Sequence, residues 1–178
     1  MEGNTPIKFE LKKDPIFREK KEPQIEVLET GFSDEQDNEN NTNGEGGEKT
    51  FSLINKDNNE VIGSMYYDYP KDVSINIAKV RLAGLEEKYR GQSFGPKLYE
   101  HLIEIAKNKG LDGIGSDSVV QGGGIVVWKK LMDIGHQVIV NPSIKEQWNH
   151  FNEMYGEGKL FKEKINVEKE DSVFKILF

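Results

Sequence analysis

Apolar and polar residues alternate with period two along the first half of the chain. Ile7-Lys8-Phe9-Glu10-Leu11 alternates cleanly, and Gln24 to Leu28 does so more weakly. Thr50 to Asn55, Val61 to Tyr69 and Val73 to Leu85 repeat the pattern. This period places every second side chain on one face of a strand, so half-buried strands are expected. Asp57-Asn58-Asn59 has hairpin-turn chemistry, and Pro70-Lys71-Asp72 separates the next pair. Together they predict an antiparallel meander that ends in a long strand.

Beyond residue 94 the period lengthens. Leu98, Leu102, Ile105 and Ala106 fall on one helical face, which predicts a helix over 95–109. Pro96 is tolerated in its first turn, and Gly110 ends it as a C′ glycine. Leu111 to Ser116 reads as a short strand. Gly122-Gly123-Gly124 opens a second helix carrying Ile125, Trp128, Leu131 and Met132, which Gly135 ends. His136 to Val140 is a further strand. Ser143 and Glu146 have capping-box spacing before a helix whose Trp148, Phe151 and Tyr155 form a packing face. Val173 to Phe178 is an apolar strand that must pair inside the sheet.

Two segments depart from these patterns. Residues 31–49 are crowded with Asp, Glu, Asn and Gly and read as a disordered acidic loop. Residues 159–171 are charge-rich and read as a solvated face or a hairpin tip. The net charge of −7 disfavours non-specific nucleic-acid binding, which needs a cationic surface. The chain has no cysteine, which removes disulfides, thiolate metal sites and cysteine nucleophiles. No apolar run approaches the roughly 20 residues that span a bilayer. The expectation is a soluble, cytoplasmic, single-domain protein over 1–178 with no membrane partner. His101, His136 and His150 lack metal-ligand spacing, so no metal site is expected.

The richest stretch is Tyr89-Arg90-Gly91-Gln92-Ser93-Phe94-Gly95, a glycine-bearing turn between the long strand and the first helix. Such a turn presents backbone N–H groups at the positive end of a helix dipole, where phosphate binds. The P-loop pattern fails, because Gly91 and Gly95 are three residues apart and Pro96 precedes Lys97. The dinucleotide fingerprint fails as well.

Arg90-Gly91-Gln92-Ser93-Phe94-Gly95 instead resembles the Arg/Gln-x-x-Gly-x-Gly/Ala motif of the GNAT acetyltransferase superfamily. Leu85 to Tyr89 resembles the residues that precede it there. Ser93 stands where the family usually has glycine. The order of elements over 50–140, with the final strand, also resembles that family, whereas the 143–171 region is an insertion. The resemblance implies an α+β fold, partly α/β, with a mixed, mostly antiparallel twisted sheet and flanking helices. It implies acetyl-CoA or another acyl-CoA as cofactor, held by Leu85, Arg90, Gly91, Gln92, Ser93, Phe94 and Gly95. Arg90 is either a cation for phosphate or a structural side chain. Strand residues near Leu82 to Leu85, with Gly84 allowing close approach, would pair with the amide-bearing arm of the cofactor. The activity implied is N-acyl transfer to an amine of a small molecule or peptide. The alternative is a catalytically degenerate cofactor-binding or interaction protein, which could dock through the acidic loop and the 143–155 helix.

The family's usual tyrosine acid is missing, because Trp128 stands at the nearest equivalent position. Candidate catalytic groups are Asp117, in Ser116-Asp117-Ser118 after the next strand, and Glu86, at the close of the long one. Asp117 can act as base, orient the substrate amine, or simply shape the turn. Tyr66, Tyr67 and Tyr69 read as sheet packing within reach of a substrate.

Overall fold

The computed structural model describes residues 23–30, 47–68, 76–168 and 171–178. The strand expected at 7–11, the turn at 70–72 and Tyr69 lie outside these residues, as does most of the acidic segment. Its last two positions, Glu48 and Lys49, belong to a strand rather than a loop.

The meander is present. Strands β1 (Ile25–Thr30), β2 (Glu48–Asn55), β3 (Glu60–Asp68) and β4 (Ile77–Leu85) pair antiparallel in sequence order. The β2–β3 turn is built as its residue types require. Asn55 Oδ1 accepts from the Asp57 N–H, and Asn59 adopts a left-handed conformation (φ 57°). Alternation then puts Phe51, Leu53, Met65, Tyr67 and Val80 into the core. Leu28 and Leu82 are exposed.

Helix α1 (Phe94–Asn108) returns antiparallel to β4 and packs on β3, β4 and β5 (Gly113–Gly115). Its predicted apolar face is buried, with Leu98, Leu102, Ile105 and Ala106 all inside. The Leu111 N–H bonds to the Ala106 carbonyl past Gly110, which takes φ +70° to close the helix. Strand β5 pairs parallel to β4, and the last strand inserts between β5 and β7 (Val138–Val140). The seven-stranded order is β1-β2-β3-β4-β5-β9-β7, with β9 at Phe174–Leu177. The terminal strand therefore pairs on both sides, as its apolar sequence requires.

Helix α2 (Gly122–Asp133) packs on α1 and carries Trp128 into the core, stacked on Phe174 at 5.6 Å. Helix α3 (Lys145–Gly156) adds a ring cluster in which Trp148 stacks on Phe151 at 5.2 Å and meets Phe174 edge-on at 5.3 Å. That is the packing face expected from the spacing.

Two expectations need correction here. Ser143 does not cap α3: Asn141 caps the turn ahead of it, and the α3 N-cap position, Ile144, makes no side-chain cap bond. The Asn141 Oδ1 accepts from the Ser143 N–H at 3.0 Å, and a short 3-10 turn (Pro142–Ile144) precedes α3. The charge-rich 159–171 segment is not simply solvated. Its Phe161 and Ile165 are buried, and β8 (Lys164–Asn166) pairs with β6 (Val119–Gln121) in a second, two-stranded sheet. Single buried side chains in a charged run leave no periodic signal.

Candidate functional site

The site begins where β4 and β5 part. They pair over Ile77–Lys79 of β4, and among the described strands the remainder of β4 pairs only with β3. A cleft of about 590 Å³ opens along that free edge. One wall is β4 from Val80 to Leu85. The others come from Leu98 and Tyr99 of α1, the residues after β5, and Gly124, Val127 and Trp128 of α2. Its walls are mostly aliphatic, with Arg81, Arg90, Ser116, Asp117 and Gln121 as polar members.

The β4 wall is kinked. Tyr66 pairs with Leu82 and Tyr67 with Val80, so Arg81 is an extra, bulged residue. The bulge turns its guanidinium towards two carboxylates. Nε donates to Asp68 Oδ2 on β3, and Nη1 donates to Asp117 Oδ1 after β5 at 3.1 Å. The two carboxylates hold the Arg81 pKa above its ordinary value, against the effect of partial burial. Asp117 Oδ1 also accepts from the Ser118 N–H at 2.7 Å. Asp68 Oδ1 is buried without a hydrogen-bond partner.

At the opposite end lies the turn from Arg90 to Gly95. Gly91 takes φ +76° and Ser93 takes φ +64°, both in the left-handed region. The position where the related motif has glycine thus demands a conformation that costs an L-residue about 1–2 kcal/mol. Ser93 occupies the N-cap of α1 but makes no capping hydrogen bond. Its hydroxyl therefore leaves the first-turn N–H groups uncapped. Gly95 lets α1 and α2 approach closely, since a Cβ there would stand 2.7 Å from Val127 Cγ2.

The sequence-predicted residues divide between the cleft and its rim. Leu85, Arg90, Gly95 and Asp117 line it. Gly91, Gln92 and Ser93 are exposed on the adjoining turn. The Phe94 ring points inward, edge-on to Tyr89 at 5.7 Å, so only its backbone belongs to the turn. Arg90 Nε donates to the Leu85 carbonyl at 3.1 Å, which ties the turn to β4. Gln92 Nε2 donates to the Lys88 carbonyl at 2.6 Å. Glu86 is exposed past the end of β4 and is not among the cleft residues. Its N–H bonds to the Ile62 carbonyl at 3.0 Å. Tyr67 is a core residue.

Arg81 and Tyr99 line the cleft without having been anticipated. Arg81 carries the only charge within β4's free edge, and its bulge has no sequence signature. Tyr99 sits one position from Leu98 and reads as ordinary helix packing. Trp128 is noticed in the sequence for what it replaces, not for its place in the cleft wall. Burial pushes the Tyr99 phenol far above its usual pKa, so it stays protonated.

The family model described as the acetyltransferase (GNAT) family matches residues 14–119, more than half of the 178-residue chain. The chain belongs to that family. No curated protein sequence matches it. Among solved structures, similar folds include a GNAT-family acetyltransferase from Elizabethkingia anophelis with acetyl-CoA bound. It is 17% identical, with a TM-score of 0.44, covering 86% of this chain and 95% of that one. The IAA acetyltransferase from Bacillus cereus ATCC 14579 is 13% identical, with a TM-score of 0.45, covering 86% and 96% respectively. A GNAT-family acetyltransferase from Staphylococcus aureus Mu50 is 18% identical, with a TM-score of 0.40. That match covers 52% of this chain and 54% of the S. aureus chain, so this chain spans about half the length of that relative.

Proposed function

We propose that this GNAT-family protein transfers an acyl group, acetyl foremost, from acyl-CoA to an amine. The observation that carries the reading is the edge of β4 beyond Lys79, which no longer pairs with β5 and faces an apolar cleft that starts at an uncapped helix terminus. An extended ligand with amides along its length suits such an edge, because it can complete the strand's hydrogen bonds. An anionic end group suits the N–H groups of Gln92 to Gly95, with Arg90 beside them. Acyl-CoA has both features. When bound, it supplies an activated acyl carbonyl and a thiol leaving group.

At the far end the chain contributes charge and order. Asp117 lines the cleft, and Arg81 fixes its orientation. We assign it the acceptor nitrogen: it orients the amine and takes the proton that nitrogen sheds. Glu86 lies outside the cleft lining and is given no part in that step. The acceptor is an amine-bearing small molecule or peptide.

A second reading is favoured by one observation, namely that Asp117 is already bonded to Arg81 and Ser118. A base so engaged suits a domain that binds acyl-CoA without turning it over. Thiol release from acetyl-CoA, followed with a panel of amines and basic peptides, separates the two. Turnover that falls on Asp117→Asn supports transfer. Tight acetyl-CoA binding without thiol release from any acceptor supports the binding module.

A further inference from the structure

Arg81 and Asp117 both line the cleft, with 39% and 29% of their side-chain surface exposed. The bonds each makes leave one end of it unused. Arg81 donates through Nε to Asp68 and through Nη1 to Asp117. Every bond to the Asp117 side chain falls on Oδ1, from Arg81, the Ser118 N–H and the Ser118 hydroxyl. Among the described residues, Arg81 Nη2 and Asp117 Oδ2 make no hydrogen bond. A guanidinium carries its N–H donors in a fixed fork, and each carboxylate oxygen accepts. A donor and an acceptor are thus held in the cleft on two groups bonded to each other at 3.1 Å. Charge restricts what they take. Two carboxylates already share the one guanidinium. A ligand carboxylate on Nη2 would be a third anion on one cation, and like charges repel. A carbonyl oxygen needs only the N–H and brings no charge. Exposed Leu82 and Val119 line the same cleft and offer apolar surface to a side chain.

We infer that the acceptor is an α-amino amide, the group found at the N-terminus of a peptide, with its amine on Asp117 Oδ2 and its carbonyl oxygen on Arg81 Nη2. This rests on the acyl-transfer reading above and adds the acceptor class to it. Arg81 thereby reads the acceptor as well as orienting Asp117. The transfer itself is unchanged. The amine nitrogen bonds the acyl carbon, the carbon–sulfur bond breaks, the nitrogen's proton passes to Asp117, and CoA leaves as the thiolate. A plain alkylamine uses only the Asp117 half of the pair, and an α-amino amide uses both halves.

Two probes share one alkyl chain and differ in the carbonyl: leucinamide and 3-methylbutylamine. Thiol release from acetyl-CoA is followed with each, in the parent protein and in Arg81→Met. On the variant, kcat/KM should fall about tenfold further with leucinamide than with 3-methylbutylamine, as expected for one hydrogen bond from a charged donor. Each fall is taken on one substrate, so the amines' different basicities cancel. The peptide Leu-Gly-Gly should behave as leucinamide does, and an unchanged CoA affinity shows that the variant is folded. Equal falls with the two probes would overturn the inference and leave acyl transfer intact. Should the variant not fold, inhibition of the parent protein decides. There 4-methylpentanamide, which has the carbonyl but no amine, should compete with leucinamide about tenfold more tightly than 4-methylpentanoate does. An amide that competes no better than the carboxylate overturns the inference. Thiol release with 3-methylbutylamine but none with leucinamide overturns it too, whereas no release with any amine overturns the acyl-transfer reading as well.

Discussion

Arg81 Nη1 donates to Asp117 Oδ1 at 3.1 Å across the gap where β4 and β5 separate. The backbone bonds between these strands have ended by this point, so the ion pair is what links the two sides of the cleft here. It also orients the Asp117 carboxylate. Asp117→Asn should lower turnover by about 10²-fold, the low end for loss of an acid–base group. Its CoA dissociation constant should stay within about twofold, because the change lies at the acceptor end. Steady-state kinetics paired with CoA calorimetry checks the split.

Arg81→Gln should act through Asp117. The pair is part-exposed, so the stability loss is expected to stay near or below about 1 kcal/mol. The KM for the acceptor should rise more than kcat falls. A variant with unchanged acceptor KM contradicts a positioning role for Arg81.

The turn offers a backbone test. Ser93 at φ +64° pays for a conformation that glycine adopts freely. Ser93→Gly should raise unfolding stability by about 0.5 kcal/mol, after the glycine's extra unfolded-state entropy is subtracted. Gly91→Ala, at φ +76°, should lower it by about 1 kcal/mol or more. Urea unfolding of both variants measures the two signs.

Much of this was legible in the sequence. The meander, the α1 face and the glycine turn follow from period and turn chemistry, because each is a local pattern that tertiary packing reinforces. Two layers were not legible. The parting of β4 from β5 is a pairing that stops, and no residue type marks where. The Arg81 bulge is a one-residue register shift fixed by partners on β3 and after β5. The buried Ile165 was hidden because the three-residue strand Lys164–Asn166 has too few positions to show alternation, and the buried Phe161 because it stands alone between Leu160 and Lys162 in a charged run. Ile165→Ala should cost about 2–4 kcal/mol, far more than a surface substitution in the same charged run.

Acid stability should show Asp171. Lys175 Nζ bonds its Oδ1 at 2.9 Å, and Asn141 Nδ2 bonds its Oδ2 at 2.6 Å. The Lys175 bond foremost holds its pKa below the usual value, against a smaller effect of burial. A lowered carboxylate pKa stabilises the fold above its unfolded value, near about pH 4, and the contribution is lost as pH falls through the folded value. Asp171→Asn should therefore destabilise at pH 7 and converge with the parent protein in strong acid. Thermal melts from pH 7 to pH 2 test the convergence.

The central claim is that one ligand spans the cleft from the Arg90–Gly95 turn along the free edge of β4. Titration of isotope-labelled protein with acetyl-CoA reads this directly through backbone amide shifts. Saturable shifts at both Gln92–Gly95 and Val80–Leu85, with β1 and β2 unmoved, are the expected result. No saturable shift in either segment at millimolar acetyl-CoA would contradict it.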